Sequence, residues 1–128
     1  MPAISSEPVS VIVPHSGTER LPQLATTLAS LRQREGVGEI IVAEMGPAPV
    51  ALEVARRWAN KHLFIEHHGA FERARALNAG QAVARCALLL WHDNDLLMPP
   101  GFVGRAVREL RERRLDYLTP FSSVRYLG

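Results

Sequence analysis

Two aspartates, Asp93 and Asp95, are separated by one residue and follow the apolar stretch at residues 86–91. A short apolar run of this kind is typical of a buried strand, so both carboxylates should lie where that strand ends. Mg²⁺ and Mn²⁺ prefer oxygen ligands and commonly take one or two protein carboxylates, with phosphates and water filling the remaining positions. The pair therefore indicates a metal-diphosphate site. An acidic turn that merely caps a helix or meets solvent is the alternative.

The segments around this turn alternate between two kinds of apolar pattern. Short apolar runs at 9–13, 39–43, 63–67 and 86–91 predict strands, and a further strand is expected at 116–120. Helical periodicity predicts helices that begin near 18–21, cover 51–61 and 71–85, and start again at Pro99 and Pro100. This alternation predicts an α/β fold with a mostly parallel sheet, right-handed crossovers and helices on both faces. Ligands of such sheets bind beyond the carboxyl ends of the strands.

Two local features carry finer expectations. Ser16 and Glu19 have the spacing of a capping box, which predicts that they cap the first helix. Cys86, the one cysteine, cannot form an internal disulfide or a cysteine-based zinc site, and we expect it to be buried in the fourth strand. The histidines show no H-x-x-H or H-E-x-x-H spacing, so they are interpreted as loop or surface residues, with the exception of His92, which adjoins the aspartates at the end of the fourth strand.

Composition excludes several classes of protein. The chain has 128 residues, of which 47% are hydrophobic and 22% charged, and residues 1–128 are predicted to form a single globular domain. Its net charge of +2 is small, and its densest run of arginines, at 105–114, alternates with glutamates as on a solvated helix face, so no nucleic-acid partner is expected. No transmembrane segment and no secretory signal are predicted, and the expected location is the cytoplasm.

Three segments together resemble a known family. FERARALNAG at 71–80, HDNDLLMPP at 92–100 and the first strand VSVIVP at 9–14 resemble nucleotide-sugar-dependent glycosyltransferases of the GT-A fold. The family 2 enzymes and the β-1,4-galactosyltransferases both show these motifs. The resemblance implies a Rossmann-like three-layer sandwich with a mostly parallel sheet, cut off after the D-x-D region.

The resemblance also assigns roles to individual residues. Asp95, together with Asp93, is implied as the ligand of Mn²⁺ or Mg²⁺. Glu44 stands where family 2 enzymes read the uracil, although Met45 and Pro47 depart from the usual D-D-G-S turn. The residues implied to bind the nucleotide sugar are Pro14, His15, Glu44, Phe71, Arg73, Asn78 and Asp93.

The implied activity is metal-dependent transfer of a sugar, with inversion, from a nucleoside diphosphate sugar to a carbohydrate acceptor in polysaccharide or glycoconjugate synthesis. A UDP-sugar is the favoured donor. The catalytic base of the family lies beyond the D-x-D region, so the chain is expected to be the donor-binding half of a longer enzyme. A stand-alone nucleotide-sugar-binding protein and a doubly wound protein-interaction module are the alternatives. An exposed edge strand would favour a homo-oligomer.

Overall fold

The structure is a computed structural model that describes residues 7–118. The described elements are, in chain order, β1 (Val9–His15), α1 (Leu21–Arg32), β2 (Val37–Gly46), α2 (Leu52–Trp58), β3 (Lys61–Glu66), α3 (Arg73–Val83), β4 (Leu88–Trp91) and α4 (Phe102–Glu112). The sheet has the order β3-β2-β1-β4, and every neighbouring pair is parallel. The predicted α/β architecture is therefore confirmed. None of the helices within the described range is long and apolar enough to cross a membrane.

Side-chain alternation along β1 divides the core into two layers. Val11 and Val13 face a cluster that includes residues of α1, α2 and α4, whereas Ile12 faces a second cluster with α3. Successive side chains of a strand point to opposite faces, so a strand buried on both faces reads as an uninterrupted apolar run. β1 is buried along its whole length. The sheet is thus covered on both faces, as the sequence predicts.

Helix α1 starts without the predicted capping box. It begins at Leu21, its N-cap residue is Arg20 with no side-chain cap, and the Leu21 N–H donates to the Thr18 carbonyl. Because a capping box joins the N-cap residue to the third helical residue, Ser16 stands too far upstream to form one. The expectation for Ser16 and Glu19 was wrong. Pro22, in the first turn, fixes the start instead.

Three further boundaries differ from the sequence expectations. Cys86 precedes β4 and is only partly buried, because β4 pairs with β1 from Leu88 onward and the Cys86 N–H donates instead to the Ser10 hydroxyl. Helix α4 begins after Gly101, whose φ of 79° is a left-handed conformation that glycine tolerates. Residues 116–118 form no strand, and the rest of the predicted fifth strand lies outside the described residues.

A buried carboxylate closes the amino end of the sheet. Glu39 on β2 accepts hydrogen bonds from the Ser10 hydroxyl at 2.7 Å and from the Arg85 N–H at 2.9 Å. Its other oxygen lies 2.7 Å from the ammonium of Lys61. Burial alone would raise the pKa of Glu39, but the Lys61, Arg85 and Ser10 contacts outweigh burial and lower it from 4.5 to about 2. This network lies at the amino ends of the strands, whereas the candidate site lies at their carboxyl ends.

Candidate functional site

The parallel sheet brings the predicted site segments to one edge. The loops after β1, β2, β3 and β4 all leave from the carboxyl ends of their strands. Asp93 and Asp95 follow β4, which stands at one end of the described strand order and pairs with the inner strand β1. The loop after β1, residues 16–20, lies beside them because a neighbouring parallel strand delivers it to the same edge.

Each aspartate is paired with an arginine from the start of a helix. Arg73, the first residue of α3, donates to Asp93 at 2.8 Å, and Arg20, directly before α1, donates to Asp95 at 2.6 Å. The two carboxylates are 56% and 43% exposed. Exposed ion pairs contribute about 0 to 1 kcal/mol, so little free energy opposes their separation. Both the carboxylates and the guanidinium groups are therefore available to a charged ligand.

The carboxylates of Asp93 and Asp95 could hold a metal ion only together with a ligand that supplies further oxygen atoms. Among residues 7–118, no group of three or more His, Cys, Asp or Glu side chains is arranged to hold a metal ion. Two neighbouring carboxylates supply two hard oxygen donors, and Mg²⁺ and Mn²⁺ commonly complete such a set with phosphate oxygens and water. The chemistry of Asp93 and Asp95 fits a cation that arrives with a diphosphate.

The turn between the aspartates is attached to the core through Asn94. Its side-chain amide lies 2.8 Å from Nδ1 of His15, and its carbonyl accepts a hydrogen bond from the Thr27 hydroxyl at 2.9 Å. The interpretation of His15 as a loop or surface residue was wrong, because it is the buried last residue of β1, and its Nε2 lies 2.7 Å from the Gly17 carbonyl. Burial lowers the pKa of His15, although the Gly17 contact and the Glu44 charge oppose this. A neutral ring that donates from Nε2 and accepts at Nδ1 satisfies both contacts.

His92 anchors the same turn where it leaves β4. Its backbone N–H donates to the Ile12 carbonyl at 3.0 Å, which continues the β1–β4 pairing by one residue. Its ring donates from Nδ1 to the Asp93 carbonyl at 2.7 Å. Burial is the main cause that lowers the pKa of His92, against the opposing influence of Asp93 and Asp95. Burial of the ring thus favours its neutral form, and the Nδ1 contact ties the ring to the backbone of Asp93.

Glu44 occupies the end of β2 and is buried rather than open to a ligand. Only 1% of it is exposed, and its carboxylate accepts from the Ala51 N–H at 3.1 and 3.2 Å. The ring of His62 lies 2.8 Å from the same carboxylate. Ala51 is the N-cap residue of α2, so Glu44 fastens the loop after β2 to the sheet. In the sheet register Glu44 also lies opposite His15.

The remaining predicted residues are more loosely connected. Pro14 is buried in β1 opposite Ala43, and Phe71 is 41% exposed just before α3. Asn78 lies on the exposed side of α3, and its side chain has no hydrogen-bond partner in the described part of the chain. The structure thus connects His15, Arg73, Asp93 and Asp95 through direct contacts around one turn. It does not connect Phe71 or Asn78 to them.

Sequence reasoning missed Arg20, Thr27 and Asn94 as residues of this site. Thr27 carried a usable signal, because it is a polar residue within the apolar stripe of α1. Leu24, Leu28 and Leu31 form the rest of that buried stripe. Arg20 and Asn94 lie in loops, where periodicity gives no information about contacts. Their partners are 75 and 79 residues away in the chain.

Comparison with known proteins supports the resemblance seen in the motifs. The sequence model of glycosyl transferase family 2 matches residues 10–126. A search of curated proteins finds no match. Among solved structures, the mannosyltransferase PcManGT from Pyrobaculum calidifontis, in complex with GDP-Man and Mn²⁺, superposes with a TM-score of 0.67 at 23% identity.

This structural likeness covers 86% of the present chain and 34% of the mannosyltransferase, so the chain spans about a third of that protein's length. It confirms the GT-A fold that the motifs imply. The family match, by contrast, extends over nearly all of the sequence, from the second residue of β1 to beyond α4. The chain therefore belongs to glycosyl transferase family 2.

Proposed function

We propose that this chain binds a nucleoside diphosphate sugar together with Mn²⁺ or Mg²⁺, and that it forms the donor-binding part of an inverting glycosyltransferase. The observation that carries the proposal is the pairing of Asp93 with Arg73 and of Asp95 with Arg20 at the carboxyl edge of the sheet. Two carboxylates and two guanidinium groups at one edge match the opposite charges of a metal and a diphosphate.

Binding would exchange the partners of these four side chains. The carboxylates of Asp93 and Asp95 would turn to the cation, and the guanidinium groups of Arg73 and Arg20 would turn to the phosphate oxygens. Two carboxylates, two guanidinium groups, a divalent cation and a diphosphate carrying two negative charges sum to zero, as the two ion pairs do alone. Arginine suits the second role because its planar fork can donate two parallel hydrogen bonds to phosphate.

The same arrangement serves the transfer reaction. The bond between the anomeric carbon and the diphosphate breaks, the oxygen of the acceptor hydroxyl bonds to that carbon from the opposite face, and a base takes the hydroxyl proton. A bound divalent metal supplies Lewis-acid stabilisation of the charge that grows on the leaving diphosphate. Arg73 and Arg20 add fixed positive charge beside that group. The acceptor in this proposal is a carbohydrate of polysaccharide or glycoconjugate synthesis.

The nucleotide would extend from the metal toward β2. His15, at the end of β1, and Glu44, which fastens the loop after β2, would shape the floor of the base pocket. Phe71 offers an exposed ring at the start of α3, and Asn78 and Pro14 complete the proposed donor-binding set. The motifs favour uridine, whereas the structural neighbour is a complex with GDP-Man. Titration with both nucleotides decides between these bases.

The proposal is tested by isothermal titration of the chain with UDP, GDP, a UDP-sugar and GDP-Man, each with and without Mn²⁺. We expect binding of one nucleotide that requires the metal. Asp95→Asn should weaken that binding at least tenfold, because it replaces one of two negatively charged oxygen donors with a neutral amide oxygen, which attracts a divalent cation less strongly. Glu53→Gln, which alters an exposed carboxylate on α2 away from the candidate site, should bind like the unaltered chain.

Both variants should melt within a few degrees of the unaltered protein, because neither the Asp95 nor the Glu53 carboxylate is buried. Metal-independent binding would overturn the metal assignment, as would an Asp95→Asn variant with full affinity. No binding of any nucleotide would favour the protein-interaction module instead.

A further inference from the structure

The turn at residues 93–95 rests on two buried side chains from different elements. Thr27, on α1, donates its hydroxyl to the carbonyl of Asn94, and His15, at the end of β1, accepts from the amide of Asn94. Both Thr27 and His15 are 1% exposed. The middle residue of the turn is therefore held at its backbone and at its side chain by groups that belong to rigid elements.

Holding Asn94 in this way fixes its two neighbours. Asp93 and Asp95 are each one peptide unit away, so the orientation of the Asn94 backbone determines the directions in which their side chains leave the turn. The His92 N–H fixes the entry to the turn by its bond to the Ile12 carbonyl. Within residues 7–118, the aspartate side chains themselves are exposed and are bound only by exposed arginines. Their placement thus depends on the buried contacts beneath them.

The ring of His15 also joins this turn to the loop after β1. Asn94 donates from its amide nitrogen, so Nδ1 of His15 must accept, and Nε2 is left to donate to the Gly17 carbonyl. Gly17 has a φ of 81°, in the left-handed region, and lies three residues before Arg20, which pairs with Asp95. One ring therefore binds both the aspartate turn and the loop that carries its arginine.

The position of Thr27 indicates that this contact serves more than packing. Its neighbours in the buried stripe of α1 are Leu24, Leu28 and Leu31, and an aliphatic side chain would continue that stripe without any polar group. The hydroxyl is the feature that an aliphatic residue would lack, and the Asn94 carbonyl is the group that the hydroxyl contacts.

We propose that His15 and Thr27 are positioning residues, which hold the turn at 93–95 in the conformation that presents Asp93 and Asp95 to a divalent cation and its diphosphate. The ligand in this statement rests on the proposed function. The positioning itself does not, because it can be measured in the ligand-free chain. Preorganised ligands of this kind cost less to order at the moment of binding.

The first test compares Thr27→Val with Thr26→Val. Valine matches the shape of threonine without the hydroxyl, and Thr26 is exposed with its hydroxyl bonded to the Pro22 carbonyl of its own helix. In the ligand-free chain, Thr27→Val should lower the NMR order parameters of the backbone amides at 93–95 from about 0.85, the value typical of rigid backbone, to below about 0.6, whereas Thr26→Val should not change them. Loss of an outer-shell contact typically costs 10- to 100-fold in metal affinity, so Mn²⁺-dependent nucleotide binding should weaken by about tenfold in Thr27→Val alone.

The second test separates the two bonds of the His15 ring. In His15→Asn the side-chain oxygen lies near the position of Nδ1 and still accepts from Asn94, whereas in His15→Gln the amide nitrogen lies near Nε2 and still donates to Gly17. We expect His15→Asn to keep the high NMR order parameters of the backbone amides at 93–95, and His15→Gln to lower them as Thr27→Val does. If His15 serves only to fill space in the core, the two substitutions should instead disorder the turn equally.

Asn94→Ala removes the His15 contact from the loop side, where it does not disturb the core, and should reproduce the effect of His15→Gln. Unchanged order parameters at 93–95 in Thr27→Val, His15→Gln and Asn94→Ala would overturn the positioning proposal, whether or not nucleotide binds. If these variants lower the order parameters at 93–95 but the unaltered chain binds no nucleotide with Mn²⁺, the positioning stands and the proposed function is overturned. The two failures are therefore distinguishable.

Discussion

Among single residues, Arg73 can be tested directly. This exposed arginine either binds a ligand or is only a solvated residue on the surface of its helix. Its guanidinium lies 2.8 Å from Asp93, at the first position of α3. If it transfers to a phosphate oxygen on binding, Arg73→Ala should weaken Mn²⁺-dependent nucleotide binding by about 1 to 3 kcal/mol, the range of charge-assisted hydrogen bonds. Titration calorimetry at constant ionic strength measures this directly.

Arg75 is the matched control for this prediction. It lies two residues further along α3, it is exposed, and it forms no ion pair within residues 7–118. Arg75→Ala should therefore bind nucleotide like the unaltered chain. Equal affinity in Arg73→Ala and Arg75→Ala would assign both arginines to the solvated surface of the helix.

Some residues of the candidate site could be predicted from the sequence alone, whereas others could not. Asp93 and Asp95 could be found because two carboxylates after an apolar strand are a local pattern. The burial of Glu44 could not, because it depends on the Ala51 N–H and on His62, which arrive from other elements. The same holds for Thr27, whose partner lies 67 residues away.

At the scale of elements, the packing of α3 on the sheet depends on Gly80. A Cβ atom at this position would lie 2.5 Å from Cγ2 of Ile12, which is fully buried in β1. In an exposed helix interior Gly→Ala stabilises by about 1 kcal/mol, but overpacking a core costs about 1 to 3 kcal/mol. Gly80→Ala should therefore lower the free energy of unfolding, measured by urea denaturation.

A double-mutant cycle isolates this contact. Ile12→Ala removes both γ carbons, so adding Gly80→Ala in that background should be neutral or stabilising. Additive losses in the double variant would show that Gly80 is required for some reason other than the approach of α3 to β1.

The elements themselves were largely predictable, whereas their ends were not. All four described strands and four helices occur where the apolar patterns place them, because periodicity reflects burial within each segment. The capping box at Ser16 and Glu19 was not formed, and β4 starts at Leu88, two residues after Cys86. Those boundaries depend on the Pro22 turn and on which residues of β1 remain to be paired.

In the molecule as a whole, the buried Glu39 network, which stabilises the fold, and the candidate site lie at opposite ends of the sheet. The Glu39 network joins β1, β2, β3 and the segment after α3 through Ser10, Lys61 and Arg85. The aspartate turn lies beyond the other end of β1. Variants of the network should therefore change the free energy of unfolding without changing nucleotide affinity.

The pH dependence of unfolding tests this network. The pKa of Glu39 is about 2 in the folded chain against an ordinary value of 4.5, so its stabilising contribution is complete above pH 4.5 and is lost as the pH falls toward 2. A shift of this size corresponds to about 3 kcal/mol. Glu39→Gln should lower the free energy of unfolding at pH 7 and flatten its decline between pH 4.5 and 2.

Glu53→Gln supplies the comparison, because Glu53 is an exposed glutamate on α2 whose Arg56 partner lies 3.4 Å away. Its unfolding curve should follow that of the unaltered chain at every pH, since an exposed pair contributes little. The decisive measurement is urea denaturation of the three proteins across this pH range. A Glu39→Gln variant that loses stability on acidification as steeply as the unaltered chain would show that other carboxylates control acid unfolding.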